Sequence, residues 1–131
     1  MGKLKSFVVV VVVVDDDESV CLAIKRLLRS VGIAAETFAS GDAFLDVPSS
    51  MPSYRPDCVI LDVQMPGLNG LEVQRRLSGS GVSVIFITAD DDISVREQAV
   101  AGGAVAYILK PFNDDLFIRT VRAALEGGQA S

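Results

Sequence analysis

"FVVVVVVVDDDES", residues 7–19, runs seven valines straight into three aspartates. Three readings compete for it: a secretion or membrane signal, an aggregation-prone strand, or the floor of a binding site. Lys3 and Lys5 ahead of Phe7–Val14 imitate the charged and apolar regions of a signal peptide, but the run meets Asp15 with no small-residue cleavage site between. It is also too short to cross a bilayer as a helix, which takes roughly 20 residues. Valine branches at Cβ and favours strands. Phe7–Val14 is therefore read as a strand, and the chain is expected in the cytoplasm, with no membrane association. A strand without a polar face belongs in the middle of a parallel sheet, where helices cover both sides. A homopolymer cannot fix its own register, so the aspartates and the partner strands must do so.

Outward from this stretch the pattern alternates. Glu18–Val31 places Val20, Ala23, Ile24, Leu27, Leu28 and Val31 on one helix face, with Gly32 just past it at a C-terminal cap position. Ala34–Ala39 reads as a second strand and Gly41–Val47 as a short helix, before a loop marked by Pro48, Pro52 and Pro56. Cys58–Leu61 is a third, fully apolar strand ending at Asp62. "MPGLNG", residues 65–70, is turn chemistry, and Asn69 suits the cap of a helix over Leu71–Ser78. Val82–Ile87 is a fourth strand, ending at Thr88. Residues 92–101 form a helix with a vague apolar face, and Val105–Leu109 is a fifth strand, ending at Lys110–Pro111. Asn113–Glu126 is the last helix, with Asp114 and Asp115 in its first turn and Phe117, Val121, Ala124 and Leu125 on one face. Strands alternating with helices imply right-handed βαβ units and an α/β fold around a parallel sheet. Residues 1–126 read as one domain and 127–131, "GGQAS", as a flexible tail.

Composition narrows the chemistry. The net charge of −5 argues against a nucleic-acid grip by this domain, since such surfaces are usually basic. The chain has no histidine, which removes Ser-His-Asp and Cys-His triads and most zinc sites. Any histidine chemistry must come from a partner. Cys21 and Cys58 form no C-x-x-C pair and read as two small buried residues.

Four strands end in polar residues: Asp15 and Asp16, Asp62, Thr88, and Lys110. In an open parallel sheet these ends share one edge, where ligands bind at the switch in strand order. Each alone reads more often as a solvated loop end; together their chemistry matches. Carboxylates meeting at one edge repel, so either one takes a proton or a cation sits among them. All-oxygen ligands favour a hard ion, Mg²⁺ over Zn²⁺. Mg²⁺, a lysine and a hydroxyl around a carboxylate suit a phosphoryl group, and the carboxylate itself can be the nucleophile.

At this point the sequence resembles a bacterial two-component response-regulator receiver domain over roughly Phe7 to Leu125. The motifs "VVDDDES", "VILDVQMPGLNG", "VIFITA" and "YILKPF" occur in that family's order, and their details resemble the subgroup of nitrogen-fixation regulators. The resemblance implies a flavodoxin-like (βα)5 fold, with strand order 2-1-3-4-5. It implies that Asp62 is the phosphorylated aspartate, Asp16 the direct Mg²⁺ ligand, and Asp15 its acidic partner acting through water. Gln64 would lend its backbone carbonyl to the metal. Lys110 would bind phosphoryl oxygens, and Thr88 would turn inward to them beside the Ala89 N–H. Tyr107 would be the aromatic switch, and Lys110–Pro111 a cis peptide. A sensor histidine kinase or phosphotransfer protein would be the partner, with the last-helix face a candidate homodimer surface. Such a domain is a signalling phosphoprotein rather than a turnover enzyme. The subgroup often carries a helix-turn-helix output domain, for which the stretch after the last helix is too short.

The alternatives have weaker support. A nucleotide-hydrolysing enzyme needs a G-x-x-x-x-G-K-[ST] loop, and "GSGV", residues 79–82, lacks the lysine. A dehalogenase-type phosphatase would want aspartate where Gln64 stands. A docking module of the same fold that ignores phosphate remains the rival reading. Tyr107 has a plain reading as a half-buried strand residue, and Asp90–Asp92 as a solvated loop and helix start.

Overall fold

The computed structural model describes residues 10–46 and 56–130, the last four by backbone alone. The elements alternate as β1 (Val11–Val14), α1 (Glu18–Arg29), β2 (Ala35–Phe38), α2 (Gly41–Leu45), β3 (Cys58–Asp62), α3 (Gly70–Arg76), β4 (Ser83–Thr88), α4 (Ile93–Ala101), β5 (Ala106–Leu109) and α5 (Asp114–Ala130). The five strands form one sheet in the order β2-β1-β3-β4-β5, and every pairing is parallel. This is the flavodoxin-like 2-1-3-4-5 order expected from the sequence.

The valines meet the demand of a central strand. Val11, Val12, Val13 and Val14 are all fully buried. Val11 and Val13 pack with Ile24, Leu28, Phe117 and Val121 on the α1–α5 side. Val12 and Val14 pack with Phe44, Leu71, Val73 and Phe86 on the opposite side. Alternating side chains of one type thus fill two cores. Each buried valine contributes roughly 1.5 kcal/mol or more of transfer free energy.

Polar atoms at the ends of the run supply the register that the valines lack. The Val10 N–H donates to the Asp57 carboxylate at 2.8 Å, and the Asp57 N–H donates back to the Val10 carbonyl at 2.8 Å. At the far end the Asp15 N–H donates to the Phe38 carbonyl at 3.1 Å. Between them Val11 pairs with Ala35 and Cys58, and Val14 with Phe38 and Leu61. The proposed start of this strand at Phe7, the end of the second helix at Val47, and Pro48 and Pro52 lie outside the described residues.

Caps fix the helix starts. Asp17 accepts from the Ser19 N–H at 2.9 Å at the head of α1, and Asp92 accepts from the Val95 N–H at 3.2 Å at the head of α4. Asn69 and Glu72 exchange two backbone bonds at 2.9 Å each, a full capping box at the head of α3. The backbone of α5 continues helically to Ala130, past Gly127 and Gly128, where a flexible tail was expected. Glycine costs a helix about 1 kcal/mol per residue without forbidding it.

One glycine positions the site directly. The N–H of Gly70 donates to the Val63 carbonyl at 2.8 Å. A Cβ there would collide with the Asp62 carbonyl oxygen and lie 2.9 Å from the Val63 Cα. Both obstacles are backbone, so α3 begins pressed against the end of β3. Gly70→Ala should lose about 2–3 kcal/mol of unfolding free energy, against about 1 kcal/mol for the cap loss in Asn69→Ala. Urea titrations of the two variants check this, and equal losses would contradict the close approach.

Candidate functional site

The strand order reverses between β1 and β3, so Asp15 and Asp16 just past β1 face Asp62 at the end of β3 across the crevice. Asp15, Asp16 and Asp62 each bring a carboxylate oxygen within 4.8 Å of the others. Lys110 enters from the end of β5. Its Nζ lies 2.8 Å from Asp15 Oδ2 and 3.5 Å from Asp62 Oδ1. Its backbone N–H is tied to the Thr88 carbonyl at 2.8 Å, and its bond to Pro111 is cis as the resemblance implied. Four residues up to 95 positions apart therefore form one cluster.

Burial divides their electrostatics. Asp15 and Asp62 are buried, whereas Asp16 is exposed. Burial, then the Asp15 charge, pushes the Asp62 carboxyl up to about 7, against the pull of Lys110. Burial works against the Lys110 charge, but its hydrogen bond to Asp15 and the Asp62 charge outweigh this and raise its pKa. The Asp15 side chain also accepts from the Asp17 N–H at 2.8 Å. Asp17 itself turns away into the helix cap, where Ser19 holds its carboxyl below the usual range. The three aspartates thus separate into a buried partner of Lys110, an exposed carboxylate and a cap.

The donor set suits a hard cation. It is all oxygen, and one ammonium faces three carboxylates, which leaves excess negative charge at a buried edge. Gln64 is exposed two residues past Asp62, beside Met65, Pro66 and Asn69 in a shallow groove. Ala89 lines a second, largely apolar groove with Val20, Ala23, Lys110, Pro111 and Phe112.

Thr88 is buried at the end of β4. Its hydroxyl accepts from the Asp90 N–H at 3.1 Å and donates to the Asp90 carbonyl at 3.3 Å. It is thus engaged with its own loop. Tyr107 is half-buried, its ring centroid 6.4 Å from that of Phe86. Its hydroxyl is buried without a hydrogen-bond partner among the described residues, a state that costs about 1–3 kcal/mol. The Arg96 guanidinium lies 5.1 Å from the centre of the Tyr107 ring and pairs with Asp91 at 3.0 Å. Sequence reasoning missed Arg96, because nothing in a helix pattern says which strand residue an arginine covers. Cys21 and Cys58 are buried free thiols. Burial first, then a nearby aspartate, pushes them to about 11 and about 12, so neither is a poised nucleophile.

Residues 11–122 match the family model of the response regulator receiver domain. The chain is 40% identical over 111 residues to the response regulator protein TodT of Pseudomonas putida, covering 82% of this chain and 47% of that protein. It is 39% identical over 101 residues to the transcriptional regulatory protein FixJ of Azorhizobium caulinodans, covering 76% of this chain and 46% of that one. The chain thus spans about half the length of these curated relatives. A crystal structure of a response regulator receiver protein from Burkholderia phymatum superposes with a TM-score of 0.83 at 73% identity, covering 90% of this chain and 95% of that chain. Among the described residues no helix is long and apolar enough to cross a membrane.

The Asp62 titration has a defined sign. Its folded pKa of about 7 lies above the ordinary 3.8, so between these values the folded state binds more protons than the unfolded state. Stability should fall as pH rises from about 4 to about 7. The loss should be on the order of 2 kcal/mol once screening by water at the site is allowed for. Asp62→Asn should flatten this slope and stabilise the protein at pH 8 but not at pH 4. Metal-free denaturation at the two pH values reads the difference.

Proposed function

The chain belongs to the response regulator receiver family, and we propose that it is a phosphoacceptor signalling switch in which Asp62 takes a phosphoryl group from a phosphohistidine on a partner kinase or phosphotransfer protein. The observation that carries this reading is a buried carboxylate, Asp62, beside one ammonium and two further carboxylates at the open edge of the sheet. The chain has no histidine of its own. The donor histidine must therefore arrive from outside.

In the transfer, an Asp62 carboxylate oxygen forms a bond to phosphorus while the bond from phosphorus to the donor nitrogen breaks. The freed electron pair stays on the imidazole. Asp62 must be ionised to attack, and its raised pKa supports a role for neutralising charge at the site. Asp16, Asp62 and the Gln64 backbone carbonyl would hold Mg²⁺, with Asp15 assisting through water. Bound there, the ion supplies charge neutralisation for the transferring group. Lys110 already stands between Asp15 and Asp62 and would follow the phosphoryl oxygens as a mobile point charge.

The readout is a loop event. Thr88 would release the Asp90 backbone to donate its hydroxyl to a phosphoryl oxygen, beside the Ala89 N–H. Tyr107 and the face of α5 would then change their presentation to a partner or a second copy. Residues 1–126 would act as this one unit. The domain assists its own phosphorylation without turning over a substrate.

Incubation with acetyl phosphate and Mg²⁺ should add the mass of one phosphoryl group, read by intact mass spectrometry. The gain should vanish with Asp62→Asn or with chelator, and fall at least tenfold in initial rate with Lys110→Ala. A mass gain that survives Asp62→Asn would sink the assignment.

A further inference from the structure

Tyr107 poses a physical problem. Its hydroxyl is buried with no partner among the described residues, whereas an outward ring would let water satisfy it. Something must hold the ring inward. Phe86 packs beside it at a tilt of 50°, but that contact lies on the sheet side. Arg96, on α4, lies over the ring, its guanidinium 5.1 Å from the centroid, within cation–π range. Arg96 is also paired from its other side. Its Nη2 bonds Asp91 Oδ1 at 3.0 Å, and α4 begins at the adjacent Asp92 cap.

The anchor leads back to the candidate phosphorylation edge. Asp91 follows Asp90, whose backbone N–H and carbonyl both hold the Thr88 hydroxyl. The succession Thr88, Asp90, Asp91, Arg96, Tyr107 is thus continuous, through hydrogen bonds, one peptide link and the cation–ring contact. The helix that carries Arg96 is weakly seated. Ala99 is its one buried residue, and Ile93 and Val100 are 72% and 61% exposed. A helix held so lightly can shift when its first turn is pulled.

We propose that Arg96, anchored by Asp91, is the positioning residue for Tyr107: it clamps the ring inward and transmits movement of the Thr88–Asp92 loop to it. The clamp stands on geometry alone. Its link to Thr88 movement rests on the phosphoacceptor reading, and the experiment separates the two.

The chain has no tryptophan and one other tyrosine, Tyr54, so a Tyr54→Phe background makes Tyr107 the sole intrinsic fluorophore. Collisional quenching by acrylamide then reports how far the ring is covered. In unphosphorylated protein, Arg96→Ala should raise the quenching constant two- to fivefold. Asp91→Asn should raise it by a smaller factor, and the double variant should add little to Arg96→Ala alone. Arg96→Lys keeps the charge without the planar fork and should recover only part of the cover. Gln98→Ala, on the same helix, should leave quenching unchanged. Asp91, Arg96 and Gln98 are exposed, so circular dichroism and the denaturation midpoint should stay near those of the Tyr54→Phe parent. Quenching in Arg96→Ala equal to the parent, or equally raised in Gln98→Ala, overturns the clamp.

Beryllofluoride with Mg²⁺ supplies the second arm. It should change Tyr107 quenching at least twofold when Arg96 is present and less than half as much in Arg96→Ala. Equal responses would overturn the transmission claim. Silence in the parent protein would instead remove the phosphoacceptor reading and with it the transmission, while the first arm decides the clamp by itself.

Discussion

Everything at the polar edge depends on two buried carboxylates that the sheet brings together and one ammonium that keeps them compatible. Asp15 and Asp62 lie at the ends of adjacent central strands, so the topology alone makes them neighbours. At about 4 Å and an effective dielectric of about 20, two such charges repel by about 4 kcal/mol. Lys110 takes up part of that repulsion by pairing with both. It favours Asp15, at the shorter distance. The consequence falls on Asp62, which retains a raised pKa although a cation is near. The site is therefore left short of positive charge at the carboxylate proposed to accept the phosphoryl group. For that proposed role a second cation would serve better than a proton, because it would leave a lone pair available for attack.

Around this edge the scaffold is stiff. β1 carries no polar side chain within its four residues, and its register is pinned by Asp57 at one end and Phe38 at the other. α3 starts with a capping box and a glycine pressed on the Asp62 backbone. At the far end of α4, Gln74 is buried and donates to the Ala99 carbonyl at 2.9 Å, in a space that Gly102 leaves open. That bond fixes the C-terminus of α4 to α3. Its N-terminus depends on the Asp92 cap and the Asp91–Arg96 pair. The helix is thus tethered firmly at one end and lightly at the other.

Much of this was legible in the sequence. Apolar runs ending in polar residues marked four strand ends, and alternation with helices put those ends on one edge. Asp17 stands directly before the first helical turn, the position at which a cap is expected and at which the structure has one. The homopolymer made Asp15 and Asp16 harder, since seven valines give no internal marker. Their division into buried and exposed carboxylates appears only once Phe38 and Lys110 are in place. Tyr107 could be singled out by position, but its orphaned hydroxyl could not. Arg96 was invisible, because its importance comes from which ring it covers. That is set by the crossing of α4 over β5 rather than by any local pattern. The vague apolar face of residues 92–101 was a faint sign of the same fact, as a helix with one buried residue shows no strong periodicity.

The division between stiff and soft parts fits a molecule that must answer one added charge. A phosphoryl group would carry up to about two negative charges, spread over three oxygens, in place of the single charge of the carboxylate it esterifies. A core packed like the α1–α5 side cannot follow such a change continuously, because close-packed interiors resist small displacements. The contacts that can yield are individually weak: a hydroxyl on its own loop, an exposed ion pair of about 0.2–1 kcal/mol, a cation over a ring of similar worth. Each is smaller than the electrostatic change at Asp62. Their sum is of the same order as the cost of the buried hydroxyl, so the two ring orientations lie close in free energy. A few kcal/mol between two arrangements keeps the minor state populated in the range that ligands can invert. The edge can therefore be electrostatically strong while its response remains easily reversed, because the strong interactions sit on the sheet and the weak ones on the loop that leaves it.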